Sequence, residues 1–168
     1  MKAAAAGAAF QYPNFRLYMA ARVLTVTANE MQGLAVGWQI YAITNRPLDL
    51  GLAGLAQFLP GILLFLVTGH AADRFPRERI LQGCFGAFSV CSLLLLLLST
   101  RGLASAYPIY AVLLLNGVVR AFNGPASQAI TPLLVPEEHF PNAVAWNSSI
   151  FQASAIAGPM IGGLIYGW

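Results

Sequence analysis

The stretch GHAADRFPRERI, residues 69–80, gathers charge in a chain that has little of it. It holds five charged side chains, while the whole sequence has 9 Lys and Arg and 6 Asp and Glu. These five are Asp73, Arg74, Arg77, Glu78 and Arg79. The runs on either side, residues 50–68 and 80–100, contain no charge at all. A short charged connection between two long apolar runs is typical of a turn between membrane-spanning helices.

The composition of the whole chain favours a lipid environment. Hydrophobic residues make up 58% of the sequence, charged residues 9%, and the mean hydropathy is +0.66. Soluble domains carry about 25% charged residues, so this chain has too few to cover a water-exposed surface. No basic patch interleaved with aromatic residues occurs, and this argues against a nucleic-acid partner. The sequence therefore predicts a lipid bilayer as the main partner.

The lengths of the apolar runs predict five transmembrane helices. A bilayer core about 30 Å thick needs about 20 helical residues. Runs of that order follow a predicted cytoplasmic tail at residues 1–13, and the helices are expected at residues 14–44, 50–68, 80–100, 107–134 and 142–168. No alternation typical of strands is sustained. The predicted fold class is an all-α polytopic membrane protein.

The positive charges predict which side of the membrane the N-terminus occupies. Cytoplasmic connections carry an excess of Lys and Arg. With a cytoplasmic N-terminus, only Arg46 and Arg101 lie on the outer side, and five basic residues lie inside: Lys2, Arg16, Arg74, Arg77 and Arg79. The charged turn at residues 69–78 is therefore expected on the cytoplasmic face.

Three charged residues fall inside predicted spans, where insertion costs about 2.5–3.5 kcal/mol each. They are Arg22, Glu30 and Arg120. Glu30 and Arg120 lie near the middle of the first and fourth helices. We expect them to pair, either as a functional site that moves protons or binds an anionic substrate, or as a structural ion pair. Asn29 and Asn123 add polarity to the same two helices, which are expected to line a polar cavity. The third helix, with six consecutive leucines at residues 93–98, is expected to face lipid.

Small residues recur every four positions in the fifth predicted helix, at Ser154, Gly158 and Gly162. That spacing lets two helices approach backbone to backbone in lipid. Pro159 is expected to bend the helix. A gating helix and a plainly tight helix contact are equally compatible with this pattern.

The charged turn resembles the signature loop between the second and third helices of the major facilitator superfamily (MFS), G-x-L-a-D-r-x-G-r-k-x-x-l. The matching residues are Gly69, Asp73, Arg74, Arg77 and Leu81, and the chain departs from the pattern at Ala71, Pro76 and Glu78. The resemblance implies that Gly69, Asp73, Arg74 and Arg77 form a cytoplasmic gating loop, which latches against the second half of the transporter.

Two further stretches resemble motifs of the same family. RAFNG, residues 120–124, is similar to the fourth-helix pattern R-x-x-q-G, with Asn123 in place of Gln. SAIAGPMIGG, residues 154–163, is similar to the fifth-helix antiporter pattern, with Ser154 in place of Gly, and it includes Gly163. VGWQIYAIT, residues 36–44, and GLAQFLPG, residues 54–61, resemble bacterial siderophore and drug exporters. The resemblance implies an exporter of small organic molecules in a bacterial inner membrane.

Five helices are fewer than the family architecture has, so the resemblance implies an incomplete N-terminal six-helix bundle. We expect a transporter fragment, coupled to protons, which needs missing C-terminal helices or a second chain to complete it. The alternative is a non-transporting membrane fragment, or a module that oligomerises or regulates another membrane protein. No H-E-x-x-H motif, phosphate loop or embedded nucleophile motif occurs. We therefore expect no enzyme activity, no metal and no cofactor.

Overall fold

A computed structural model describes residues 7–102 and 105–167, except for the side chains of residues 71–73. These residues form α-helices and two short 3₁₀ helices, at Ala8–Gln11 and Glu137–His139, and contain no β-strand. The helices are α1 Pro13–Thr44, α2 Pro47–Leu63, α3 Phe65–Arg74, α4 Arg77–Thr100, α5 Tyr107–Leu134 and α6 Phe140–Tyr166. The all-α prediction is therefore confirmed.

Two helical segments in the described part of the chain are long and apolar enough to cross a membrane, Arg77–Thr100 and Glu137–Tyr166. Helix α2 is apolar but has only 17 residues. Helices α1 and α5 are long, but they carry the charges and amides that the sequence analysis singled out, which lowers their hydropathy. The prediction of five spans is therefore not confirmed.

The predicted helix at residues 50–68 is two helices in the structure. Helix α2 ends at Leu63 and α3 begins at Phe65, with Leu64 between them at φ −96° and ψ 1°. The interruption follows Pro60 and Gly61. Proline lacks the N–H that an interior helix position requires, and glycine has low helix propensity. Both residues lie inside α2, and the Leu64 N–H still bonds the Pro60 carbonyl oxygen at 2.9 Å, so the interruption is a local change at Leu64.

The charged segment is mostly helical rather than a loop. Helix α3 continues through Arg74, and α4 begins at Arg77, so only Phe75 and Pro76 connect them. Pro76 is the N-cap residue of α4, with a ψ of 120°. The sequence analysis expected a turn over residues 69–78, and that expectation was wrong for residues 69–74. Asp73 lies in the last turn of α3, and its side chain lies outside the described residues.

By its internal contacts the chain divides into two compact units. The first, unit 1, comprises Met1–Leu34 and Ala129–Trp168, and the second, unit 2, comprises Ala35–Gln128. In unit 1 the 3₁₀ helix before α1 is packed on α6. The backbone N–H of Ala9 donates to Asn142 Oδ1 at 3.2 Å, and the Phe10 and Trp146 rings meet edge to face at 5.0 Å. Residues 8–11 of the expected tail are thus ordered and packed.

Unit 2 has an apolar core to which four helices contribute. Its main cluster is Val36, Ile40, Ala53, Cys91, Leu95, Ala106, Ile109, Val112 and Leu113. In α4 the leucine run buries Leu95 but leaves Leu93 and Leu96 more than half exposed. A soluble protein rarely exposes a large contiguous apolar patch. The outer face of α4 has the character expected of a lipid-facing helix.

Candidate functional site

An open cavity lies between α2 and α5 in unit 2, with a volume of about 430 Å³. This volume is in the range of small-molecule binding sites, about 300–1,000 Å³. Its described lining residues are Gly54, Gln57, Phe58, Gly61, Gly117, Arg120 and Ala121. Gly54, Gln57 and Gly61 follow the i, i+3, i+7 spacing of one helix face, so α2 presents two glycines and an amide to the cavity.

The two helices meet closely at Gly117. A Cβ atom added there would lie 2.5 Å from the Gln57 carbonyl oxygen and 3.0 Å from Pro60 Cγ. Real side chains essentially never approach a backbone so closely, so only glycine permits this crossing of α2 and α5. The contact fixes Gln57 of α2 within reach of Arg120, which lies one turn further along α5.

Arg120 is tied to α2 through a neutral partner. Its Nη1 donates to Gln57 Oε1 at 3.3 Å. Arginine stays protonated under all ordinary conditions and has five N–H donors. None of the described lining residues is acidic. The cavity wall therefore carries a positive charge and hydrogen-bond donors.

A polar stripe runs along α5 through Asn116, Arg120, Asn123 and Ser127. Their spacing of i, i+4, i+7 and i+11 places them on one helix face. Ser127 Oγ donates to Asn123 Oδ1 at 3.5 Å. The Nδ2 atoms of Asn116 and Asn123 are buried and have no hydrogen-bond partner among the described residues. The amide groups that the sequence analysis noted in this helix are thus largely withdrawn from solvent and leave two donors unsatisfied.

Glu30 lies in unit 1, where α1 contacts the glycines of α6. A Cβ atom added at Gly158 would lie 2.6 Å from Glu30 Cβ and 3.0 Å from the Thr27 carbonyl oxygen. One added at Gly162 would lie 3.2 Å from Met31 Cα. At Gly158 and Gly162, therefore, α6 approaches α1 closely.

The remaining residues of the α6 motif have different surroundings. Ser154 is buried, and Pro159 lies inside α6 and is half-buried. A Cβ atom added at Gly163 would meet Leu34 Cδ2 at 3.8 Å, which is an ordinary contact. Gly163 is therefore not needed for the close approach to α1.

Arg22 and Asn29 contact their surroundings within unit 1. The Arg22 guanidinium lies 5.8 Å from the centre of the Phe151 ring of α6, a cation–π contact. Its Nε is buried without a hydrogen-bond acceptor in the described part of the chain. Asn29 Nδ2 donates to the Thr25 carbonyl oxygen at 2.9 Å, so this amide bonds to its own helix. Arg22 thus joins α1 to α6.

The charged segment presents its described residues mainly to the outside. Gly69 and Arg74 are exposed, and Arg77 is half-buried at the start of α4. An added Cβ at Gly69 meets nothing within 4 Å. The role of this segment as a gating latch stays a prediction.

The structure assigns some of the predicted site residues to different units and adds others. Glu30 belongs to unit 1 and Arg120 to unit 2, and their pairing stays a prediction. Sequence reasoning missed Gln57 as a partner of Arg120 and missed Gly117 as the crossing point. A signal was present in GLAQFLPG, residues 54–61, whose two glycines and amide line the cavity.

Comparison with known proteins identifies related transporters. The MFS-type transporter YkuC of Bacillus subtilis is 29% identical over 164 residues, which cover 94% of this chain and 36% of the relative. Macrolide efflux protein A of Streptococcus pyogenes is 25% identical over 160 residues, which cover 93% of this chain and 40% of the relative. Enterobactin exporter EntS of Shigella boydii serotype 4 is 29% identical over 157 residues, which cover 92% of this chain and 37% of the relative.

The chain thus spans 36% to 40% of the length of these relatives. No solved structure matches it. The family model described as transmembrane secretion effector matches residues 4–168, almost the entire sequence. This match confirms the resemblance drawn from the motifs: the chain belongs to the transmembrane secretion effector family of the major facilitator superfamily.

Proposed function

We propose that the chain is part of a secondary transporter that exports small organic molecules, of the drug or siderophore kind, across a bacterial inner membrane. The observation that carries this proposal is the cavity between α2 and α5, where Arg120 and Gln57 lie in apolar helices. A charged side chain within a membrane helix is expensive and usually serves transport. The relatives named as macrolide and enterobactin exporters support the same kind of cargo.

In this proposal the chain crosses the bilayer five times, with α2 and α3 together forming one crossing, and the N-terminus is cytoplasmic. Helix α2 is too short alone, but α2 and α3 are separated only by Leu64. Gly69, Asp73, Arg74 and Arg77 act as the cytoplasmic latch. Further helices, or a second chain, supply the surface against which the latch closes, since the chain spans 36% of its relative YkuC.

Glu30 is proposed to take up and release protons during export. It is half-buried in α1 beside Gly158 of α6. The other polar residues of α1 and α5, Arg22, Asn29, Arg120 and Asn123, are proposed to line the path of cargo and protons. Arg120 either tunes the proton affinity of Glu30 or contacts the cargo.

Transport in energised inverted membrane vesicles tests this function. The vesicles contain the protein, and uptake of a labelled macrolide or of enterobactin is followed after a pH gradient is imposed. We expect Glu30→Gln to abolish the response to the gradient. The control Glu137→Gln removes an exposed carboxylate between α5 and α6 and should retain it. Unchanged coupling in Glu30→Gln would remove this residue from the mechanism.

The alternative, a membrane module that does not transport, makes a different prediction for the same vesicles. It predicts no uptake with either cargo, and a stop codon directly after codon 168 of the gene. Uptake above that of empty vesicles, or further membrane spans encoded in frame, supports the transporter instead.

A further inference from the structure

We propose that residues 8–12 are a strap that closes one end of the contact between α1 and α6, and that release of the strap admits water to buried polar groups between it and Glu30. The strap and its opening follow from contacts within unit 1. The consequence for Glu30 rests on the proposed function, so each can fail without the other.

The strap is held to α6 by a hydrogen bond and by aromatic packing. The N–H of Ala9, a fully buried residue, donates to Asn142 Oδ1 at 3.2 Å. The Phe10 ring meets those of Phe15 and Trp146 edge to face, with centroid distances of 5.4 and 5.0 Å. Such aromatic pairs contribute stability beyond the apolar area that they bury. These contacts therefore favour the closed strap.

The strap lies where the contact between α1 and α6 begins. Successive contacts follow the same order along both chain segments, so the two helices run parallel. In that order the contacts are Phe10–Trp146, Arg22–Phe151, Glu30–Gly158 and Met31–Gly162. The stretch around Arg22 thus lies between the strap at one end and the close approach at Gly158 at the other.

This stretch contains buried polar atoms that need partners. Arg22 Nε, His139 Nδ1 and Asn147 Oδ1 are buried and have no hydrogen-bond partner among the described residues. Asn147 lies one turn before Phe151 on the same face of α6, and the Arg22 guanidinium lies 5.8 Å from the centre of that ring. The His139 ring lies 6.0 Å from the ring of Tyr12 in the strap. Water both donates and accepts, so it can serve each of these atoms once the strap opens.

Two opposing contributions therefore act on the strap. Closing it buries aromatic surface, which is favourable, and keeps polar atoms from water without replacing their hydrogen bonds, which is unfavourable. Segments of this kind open locally more easily than a packed core. Opening at this end would bring water along α6 as far as Ser154, which is buried one turn before Gly158, the residue in contact with Glu30. In the proposed transporter, the strap would then control the exchange of protons between Glu30 and the cytoplasm.

A single introduced thiol reports the opening. Cys84→Ala and Cys91→Ala remove the two natural cysteines, and Ser154→Cys then places a thiol at a buried position of α6. Its reaction with a water-soluble methanethiosulfonate is followed by mass spectrometry in a mild detergent. Phe10→Ala removes the aromatic side chain of the strap. We expect this variant to raise the reaction rate roughly tenfold, the change in the opening equilibrium that corresponds to the loss of an aromatic pair.

Two controls distinguish opening of the strap from general loosening. Phe65→Ala removes the same side chain from an exposed position of α3 and should leave the rate unchanged. Protein that carries only Cys84→Ala retains Cys91, which is fully buried in unit 2, and Phe10→Ala should not accelerate its reaction. If Phe10→Ala does not fold, as judged by circular dichroism, Asn142→Ala replaces it, because it removes the acceptor for the strap.

The fluorescence of Trp146 reports the strap directly. Trp38→Phe and Trp168→Phe leave Trp146 as the sole indole. Because the Phe10 ring packs on this indole, Phe10→Ala should increase its quenching by acrylamide.

The combined results decide the inference. Faster labelling at position 154 and stronger quenching in Phe10→Ala, with no change at Cys91, support it. Rapid labelling with the strap intact, equal rates in Phe10→Ala and Phe65→Ala, stronger quenching without faster labelling, or equal acceleration at Cys91 refutes it.

Export from the vesicles separates this inference from the proposed function. Phe10→Ala should change the response of export to the pH gradient. An unchanged response refutes the link to Glu30 and leaves the strap standing. Absence of export from the wild-type protein, together with the expected labelling, overturns the proposed function alone.

Discussion

The replacement Gly117→Ala should destabilise unit 2 through a clash between helices. The new Cβ would lie 2.5 Å from the Gln57 carbonyl oxygen, and 3.0 Å from both Gln57 C and Pro60 Cγ. Two of these three atoms belong to backbone, so relief requires that α2 and α5 move apart rather than that a side chain rotates. Overpacking of this kind costs about 1–3 kcal/mol. The gain in helix propensity from Gly to Ala returns at most about 1 kcal/mol.

A control in the same helix offsets part of the propensity gain. Gly124 also lies inside α5, and a Cβ atom added there meets nothing within 4 Å. Pro125 follows Gly124 and disfavours helical geometry for a residue with a Cβ, so Gly124→Ala gains less propensity than Gly117→Ala, and the difference between the two variants is a lower bound on the cost of the clash. We expect Gly117→Ala to be less stable than Gly124→Ala by about 1–3 kcal/mol.

The free energy of unfolding is measured by titrating sodium dodecyl sulfate into mixed micelles and following helix content by circular dichroism at 222 nm. The wild-type protein and both variants are compared at one detergent composition. If the free energies of unfolding of the two variants agree within about 0.5 kcal/mol, α2 and α5 do not cross tightly at Gly117. The described geometry of the cavity between these two helices would then be wrong as well.

Three further experiments test other contacts by the same unfolding assay. Gly158→Ala should have a free energy of unfolding about 1–3 kcal/mol lower than that of Gly163→Ala. The new Cβ of Gly158→Ala lies 2.6 Å from Glu30 Cβ, whereas that of Gly163→Ala makes only a 3.8 Å contact with Leu34. Equal stabilities would contradict the close approach of α1 and α6. Phe151→Leu and Arg22→Met should show a coupling of about 0.5–2 kcal/mol in a double-mutant cycle, and additive effects would mean that the cation–π contact contributes nothing. Asn116→Leu should raise stability in the absence of ligand, because it removes a buried N–H that lacks an acceptor; a loss of more than about 1 kcal/mol would reveal a partner for that amide.

The sequence predicted the features of the fold that depend on local chemistry. Apolar helices follow from composition and from the lengths of uncharged runs, and the family follows from motifs whose residues are fixed by spacing. The helical extension through Arg74 was missed, because charge was taken as a sign of a loop. Arginine is a good helix former, and Arg74 lies in the last turn of α3, where a basic side chain interacts favourably with the helix dipole. Charge density therefore located the segment but not its secondary structure.

The site was predicted in part for a similar reason. Arg120 and Asn123 were identified because polar groups are expensive in an apolar helix, which is a property of one helix alone. Gln57 was missed because its role depends on which residue of α5 it faces, and that is set by the register of two helices. Gly117 sets this register although no motif includes it, whereas Gly124, the last residue of the RAFNG motif, has open space around it. A sequence shows where the glycines are, but only the three-dimensional structure shows which of them allows a neighbouring backbone to approach closely.

Within unit 1 the structure joins two features that the sequence presented separately. Glu30 was singled out as an acid within a membrane helix, and Gly158 as part of a small-residue motif more than a hundred residues away. They are in direct contact, since a Cβ added at Gly158 would lie 2.6 Å from Glu30 Cβ. The next residue, Pro159, cannot donate the backbone hydrogen bond of a regular helix, so α6 is weakened where it meets the acid. In the proposed transporter, a change in the bend of α6 would therefore alter the packing around the carboxyl group that is proposed to carry the proton. In the proposed transporter, the contact between Gly158 and Glu30 is where movement of α6 would reach the acid.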